Sequence, residues 1–273
     1  MRRDLLKKAI QSAVPPVDFG TSPAGGRRRG KRNGKSTKTT IAALHYGIGK
    51  DKGILCAADR KTTAGWSHIW SIDSVKIYQV SATSLLLGCG NIGDIQFVRD
   101  RLERWCDSWQ RSHDIPLSVY AQANFVGRWC RWMYTWLSDF SFGGIIAGMD
   151  PDSEFVIYDI DEDGGRIKHD RYASNGSGGA NAKVILDKVW KPAMDRASAQ
   201  RLAVDALFHA GARDNFSSDI RIALPTVAVV TKKGIMRVTD KDVMTDVAQV
   251  LLNKMGIHLD LAKALVRAQR GRR

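Results

Sequence analysis

Ser36, Thr37, Lys38, Thr39 and Thr40 stand in a row where the basic run GRRRGKRNGK gives way to the apolar stretch IAALHY. A threonine hydroxyl is a poor nucleophile unless a base takes its proton. The rest of the chain offers few conventional bases. There is no HExxH, no GxSxG and no P-loop, and GNIGD near residue 90 is too short for a dinucleotide fingerprint. His45, His68, His113, His169, His209 and His258 are scattered, so a histidine-based triad has little support. One base remains, the threonine's own α-amino group, exposed by removing everything before it. Its ordinary pKa of about 7.7–8.0 leaves a usable neutral fraction near physiological pH. The abrupt change in composition then marks a cleavage point, and the preceding segment blocks the amine until cleavage. Thr-Thr ahead of a strand also satisfies simple β propensity, so the pair alone does not choose between the two.

The charge distribution fits a leader. Residues 1–38 hold eleven Lys or Arg against two Asp, most of the net charge of +14. From Gly20 to Lys38 the residues are largely Gly, Ser, Arg and Lys, which bury no core. Residues 4–13 suit a short amphipathic helix that Pro15 and Pro16 end. Residues 1–38 therefore read as a basic flexible segment, with the folded domain beginning near Thr39. Such a tail can bind nucleic acid or simply remain solvated; RRRGKRNGK carries no aromatic residues, which disfavours nucleic acid. No uncharged apolar run approaches membrane-spanning length, and the N-terminus lacks the apolar core of a secretory signal. Cys56, Cys89, Cys106 and Cys130 form no CxxC pair and lie in apolar segments, which argues against a disulfide scaffold or zinc site and for the cytoplasm.

The elements that must position these groups follow from hydropathy patterning. TTIAALHY and GILCAADR read as a hairpin around GIGKDKG, with Asp59 at its far end. VKIYQV (75–80) and SLLLGCG (84–90) read as strands, and 94–114 as a helix started or capped by Asp94. Residues 116–138 read as a second helix with Trp129, Trp132 and Trp136 on one buried face. FGGIIAGMD, EFVIYDIDEDG and GRIKHDRYAS read as strands, 180–190 and 198–214 as helices, 225–238 as a hairpin, and about 241–252 as a last helix. Hairpins alternating with helix pairs imply stacked sheets with helices outside, an α+β layer architecture.

TTIAALHY, GILCAADRKTTAG, SVKIYQV, GCGNIGD, YASNGSGG and RDNFSSD, in this order and near these spacings, resemble the proteasome β-subunit family over about residues 39–239. TTIAALHY and DIRIALPTVAVV are most similar to its bacterial, actinobacterial-type branch. The resemblance implies a four-layer αββα sandwich of two stacked antiparallel sheets flanked by helices, the fold of the N-terminal nucleophile hydrolases. It implies a threonine-type endopeptidase of a 20S-type core that degrades unfolded proteins in a closed chamber, without metal or organic cofactor. It implies a homo-oligomeric, heptameric β ring stacked on α-subunit rings and fed by an ATPase ring. It divides the chain into a removed prosegment (1–38), a peptidase domain (39–240) and a C-terminal helical, basic extension (241–273) with no firm counterpart in the family.

Carried over position by position, Thr39 falls on the nucleophile, Asp59 on the supporting acid and Lys76 on the buried lysine beside the hydroxyl. Gly90 falls on the oxyanion-hole glycine, and Ser177, Asp214 and Ser217 on the outer polar shell. A charged Lys76 held by Asp59 lowers the hydroxyl's pKa and relays protons. Ser177 and Ser217 are expected to bond the α-amine and a water, with Asp214 fixing Ser217. The register puts Thr62, Ser74, Gly88, Ile92 and Gln96 around the pocket for the residue before the cut, and Thr63 and Gly90 against an extended peptide. Gly88 at the pocket floor implies room for large apolar residues. Some positions depart from the family pattern. Lys38 stands where it has glycine before the nucleophile, Thr37 offers a second register, and Lys61 replaces an arginine. Thr39 is preferred because TTIAAL then aligns without a gap, which makes Lys38–Thr39 the processing site. The alternatives are a non-catalytic structural β subunit and an HslV-like protease subunit.

Overall fold

The computed structural model describes residues 35–37, 39–64, 68–137 and 139–255. The expected helix over 4–13, most of the basic leader, Lys38 and the basic C-terminal residues lie outside the described residues. Thirteen strands and five α-helices are described. The first sheet contains β1 (Lys35–Thr37), β4 (Thr62–Ala64), β5 (His68–Ser71), β6 (Ile77–Gln79), β7 (Ser84–Asn91), β8 (Phe142–Met149), β9 (Phe155–Ile160) and β10 (Arg166–His169). Its order is β10-β9-β8-β7-β1-β4-β5, with β6 also pairing β7. The second sheet runs β11 (Tyr172–Asn175), β2 (Ile41–Tyr46), β3 (Gly53–Ala58), β12 (Thr226–Thr231) and β13 (Gly234–Arg237). All pairings are antiparallel.

Helices α1 (Ile92–His113) and α2 (Val119–Trp136) pack on the first sheet, burying Leu86, Ile146, Leu102, Val126 and Cys130 among others. Helices α3 (Gly179–Val189), α4 (Arg196–Gly211) and α5 (Asp240–Met255) pack on the second, with Leu44, Leu55, Val229, Leu202 and Val247 in that core. Between the sheets lie Ile41, Ala43, Ile54, Cys56, Leu85, Leu87, Ile145, Ile157 and Val230. The expected four-layer αββα sandwich is the observed architecture. β2 and β3 bury alternate side chains in different cores, Ile41 and Ala43 between the sheets, Ala42 and Leu44 toward the helices. That double burial is why both read as unbroken apolar runs rather than as alternating ones. Helix α5 puts Val243, Val247, Ala248, Val250 and Leu251 into the same core as β2 and β3.

Some elements differ from the sequence reading. GRIKHDRYAS is two strands in different sheets: β10 pairs β9, and β11 pairs β2. The exposed RIK of β10 and the buried Tyr172 and Ala173 of β11 face different environments, so the chain changes layer between them. β4 and β5 were not anticipated, being short and carrying polar residues. Lys35–Thr37, expected to be flexible, is a strand, because the gap between β4 and β7 offers ladder partners on both sides. Helix α1 begins at Ile92 after Asn91, and Asp94 in its first turn accepts from Ser141 N at 3.0 Å rather than capping. Helix α2 is capped by Ser118, whose hydroxyl accepts from Ala121 N at 3.2 Å. Its most deeply buried side chains are Val119, Gln122, Ala123, Val126 and Cys130, with Phe125 and Met133 also buried; Trp129 and Trp132 are half-buried and Trp136 is exposed. Small residues let α2 approach the sheet, and the indoles are left at the margin.

Leu86 is fully buried at the centre of the layer between the first sheet and its helices. Leu86→Ala is expected to cost about 3 kcal/mol, read as a lower midpoint in urea denaturation of the full chain. An unchanged midpoint would mean that this layer repacks freely.

Candidate active site

The hairpin β2–β3 brings its two open ends to one edge of the sandwich. Thr39 and Thr40 lead into β2, Asp59 directly follows β3, and Asp59 N donates to Thr40 O at 3.2 Å. All three side chains are buried. Asp59 Oδ1 accepts from Thr40 N (2.9 Å) and Lys76 Nζ (2.9 Å), and Oδ2 from Lys61 N (3.0 Å) and Ser218 N (2.9 Å). The Thr39 hydroxyl donates to Asp59 Oδ1 and accepts from Lys76 Nζ. Lys76 Nζ also donates to Lys61 O at 2.5 Å.

Lys76 enters from the segment just before β6 and is among the largest fully buried side chains. Burial pulls its pKa below the ordinary lysine value by disfavouring the charged form, and the Asp59 carboxylate opposes that shift. The result is an amine that can hold or release a proton beside the threonine hydroxyl.

A second polar chain lies on the other side of Thr39. Thr40 Oγ1 lies 2.6 Å from Ser217 Oγ, and Ser217 and Ser177 each donate to Asp214 Oδ2 at 2.7 Å. Asp214 also accepts from Phe216 N at 3.1 Å. The Thr39 carbonyl accepts from Gly178 N at 3.3 Å and lies 3.4 Å from Ser177 Oγ, whose single proton goes to the nearer Asp214 carboxylate. A Cβ on Gly178 would run into Thr40, Ser217 and Asp214, so only glycine lets this turn close over the threonines. Ser177, Ser217 and Asp214 are therefore brought together, with both serines donating to the Asp214 carboxylate.

Gly90 has φ +119°, and a Cβ there would fall on the Ser141 carbonyl, so the position requires glycine. Across the ladder Thr37 stands opposite Gly90, and Ser36 stands opposite both Thr63 and Asn91. The segment before Thr39 thus lies extended between β4 and β7, the place expected for a peptide.

Around the expected pocket, Thr62 is buried and donates to Ser74 Oγ at 2.5 Å. Ile92 and Gln96 lie in the first turns of α1, with Gln96 exposed. Gly88 does not leave open room toward the helix. A Cβ there would meet Ile95 Cγ2 at 2.8 Å, so the Ile95 side chain occupies the space that the absent side chain leaves. Reasoning from the missing Cβ alone overlooked it, because the side chain that fills the gap comes from another element.

Sequence reasoning also missed Thr40, Ser218, the Lys61 backbone and Arg60. Arg60 Nε donates to Thr226 Oγ1 (3.0 Å) and its Nη2 pairs with Asp240 (2.9 Å), tying the end of β3 to the start of α5. Ser218 and Lys61 act through backbone groups, which leave no side-chain signature; the repeated serine of RDNFSSD was the one available hint for Ser218.

Comparison with known proteins adds an independent line. Residues 39–224 match the family model described as proteasome subunit. The chain is 29% identical over 212 residues to a proteasome subunit beta of Jonesia denitrificans, covering 75% of this chain and 68% of that one. It is 30% identical over 191 residues to proteasome subunit beta type-5 of Gallus gallus, covering 70% and 71%. It is 26% identical over 218 residues to proteasome subunit beta 2 of Haloarcula marismortui, covering 80% and 89%.

The Lys76 environment sets the sign of a pH dependence. Burial favours the neutral amine, so the Lys76 deprotonation step lies at lower pH than for an ordinary lysine. Asp59 favours the ammonium, so Asp59→Asn moves that step lower still. A carbon-13 titration of Lys76 labelled at Cε is expected to show both shifts. A step at the ordinary lysine position in the parent chain would contradict the geometry.

Proposed function

The chain belongs to the proteasome subunit family, among its β-type members, and from that premise we propose that it is a catalytic subunit whose Thr39 is an N-terminal nucleophile. The observation that carries the proposal is the buried Thr39 hydroxyl held between Lys76 Nζ and the Asp59 carboxylate. A subunit with only a scaffolding role has no use for a buried ion pair aimed at a hydroxyl, since burying both charges costs several kcal/mol before their attraction offsets it.

Processing comes first. The Thr39 Oγ attacks the carbonyl carbon of Lys38, its proton passing through the Asp59–Lys76 pair to the departing Thr39 nitrogen. The carbon–nitrogen bond to Thr39 breaks, leaving an ester on Oγ and a free α-amine. Water hydrolyses the ester and releases residues 1–38. In the mature chain the same hydroxyl attacks a substrate carbonyl, with the α-amine taking its proton and the Gly90 N–H meeting the developing oxyanion. The amine component leaves with that proton, an acyl ester stays on Thr39, and water activated by the α-amine releases it.

The substrate binds as β1 does, extended between β4 and β7, so main-chain bonds hold it regardless of sequence. That mode suits unfolded polypeptide. Apolar side chains before the cut are expected to be preferred, and Ile95 limits how deeply they enter. Family members assemble as β rings with α-subunit rings; a heptameric homo-oligomeric ring, an ATPase ring that feeds it and a cytoplasmic site of action complete the proposal.

The decisive experiment co-expresses the full chain with its α-type partner and reads intact mass and N-terminal sequence. A start at Thr39 is expected, with Thr39→Ala assembling but retaining residues 1–38 and losing peptide hydrolysis. Hydrolysis that survives Thr39→Ala would overturn the assignment. Ile95→Ala is expected to raise kcat/KM for peptides with tryptophan or tyrosine before the cut by about tenfold relative to leucine. An unchanged ratio would remove Ile95 from the pocket.

A further inference from the structure

Asn175, the last residue of β11, belongs to the second sheet yet makes its side-chain bonds largely to the first. Its Nδ2 donates to Asp159 Oδ1 on β9 at 2.6 Å. Its Oδ1 accepts from Gly176 N at 2.5 Å and lies 3.4 Å from Cys89 Sγ, on β7, whose one proton is shared between it and Gly143 O. Cys89 Sγ also points at Gly143 O on β8, 3.2 Å away. Gly143 makes room for this cluster, since a Cβ there would press on Cys89 Sγ at 3.1 Å and on Asn175 Oδ1 at 3.3 Å.

The carboxamide thus reaches two segments near Thr39, one through the Gly176 N–H and the other through the Cys89 thiol. Gly176 opens the turn whose Gly178 N–H holds the Thr39 carbonyl. A Cβ on Gly176, at φ +90°, would fall on that carbonyl. Cys89 immediately precedes Gly90, the expected oxyanion donor. The named contacts between the sheets are apolar and do not themselves set direction. The amide has only one workable orientation here. Turned over, its oxygen would face the Asp159 carboxylate and its NH2 would face the Gly176 N–H.

We infer that Asn175, oriented by Asp159, is a positioning residue that sets the spacing between the turn holding the Thr39 carbonyl and the strand carrying Gly90. The inference rests on the assignment of Thr39 and Gly90 to the reaction. Asn175 touches no reacting atom, so its effect falls on kcat rather than on peptide binding.

The test uses the full chain assembled with its α-type partner and follows peptide hydrolysis together with hydrogen exchange in residues 86–91 and 174–180. Asn175→Asp sets two carboxylates against each other and removes the donor to Asp159. The double variant D159N/N175D reverses the bond: the carboxamide now on β9 donates, and the carboxylate now on β11 still accepts from Gly176 N and Cys89 Sγ. The expected result is a loss of about 100-fold in kcat for N175D with KM little changed, faster exchange in both segments, and recovery of both readouts in the double variant. Should N175D fail to assemble, Asp159→Ala is expected to lose about tenfold in kcat and Asp159→Asn to keep it, since the carboxamide oxygen can still accept. Wild-type kcat in N175D or in Asp159→Ala, or a double variant as impaired as N175D, would overturn the inference. A chain with no Thr39-dependent hydrolysis would overturn the proposed function instead. Hydrogen exchange would then decide the positioning alone, with unchanged exchange in N175D ruling it out.

Discussion

The Asp59 carboxylate is the constraint on which the site depends. It is buried, and a buried carboxylate without partners would cost several kcal/mol. It is met by the Lys76 ammonium and by N–H groups of Thr40, Lys61 and Ser218. These donors come from the start of β2, the loop after β3, the segment before β6 and the segment after α4, so one side chain ties four parts of the chain at a single point. Satisfying the charge and assembling the site are the same event. The pair with Lys76 is equally conditional. Without Asp59 the lysine would be a buried cation with little opposing its loss of charge.

This arrangement needs a rigid frame, and the double burial of β2 and β3 supplies it. Strands packed on both faces cannot shift register without moving apolar side chains out of two cores at once. Their ends are thereby fixed to one edge, where Thr39 and Asp59 meet. Arg60 extends the same frame outward, joining that edge to Thr226 on β12 and to Asp240 at the start of α5. The glycines at 90, 143 and 178 mark close approaches of different kinds: the Ser141 backbone at Gly90, the Cys89 thiol and the Asn175 carboxamide at Gly143, and the Thr40, Ser217 and Asp214 side chains at Gly178. Each serves a different contact around the threonine.

The first sheet has a complementary property. Between β4 and β7 its ladder is completed by the three-residue strand β1, the segment that precedes Thr39 in the uncut chain. A slot that takes an extended segment through main-chain bonds is indifferent to most side chains. In the proposed reading the same geometry suits both the segment before Thr39 and a foreign peptide, with selectivity left to the neighbourhood of Gly88, which Ile95 crowds.

Much of the frame was legible in the sequence. Apolar runs placed β2, β3, β7 and β8 nearly where they lie, and the helical periods located the five helices of the described residues to within a few residues. Thr39, Asp59 and Lys76 were found differently. Individually each is an ordinary residue, and only six motifs in family order singled them out. Everything that depends on how layers stack was out of reach. β10 and β11 read as one strand because local pattern does not say that the chain changes sheets at residues 170–171. β1, β4 and β5 carry too few residues for any period to register. Gly88 read as an opening because Ile95 fills it from another element. Ser218 contributes a backbone N–H, and Asn175 an amide whose partners lie 16 and 86 residues away. Local hydropathy is enough to say which segments leave water, since that transfer depends on the residues themselves. Which buried segments then meet is fixed by packing between layers, to which local pattern is blind.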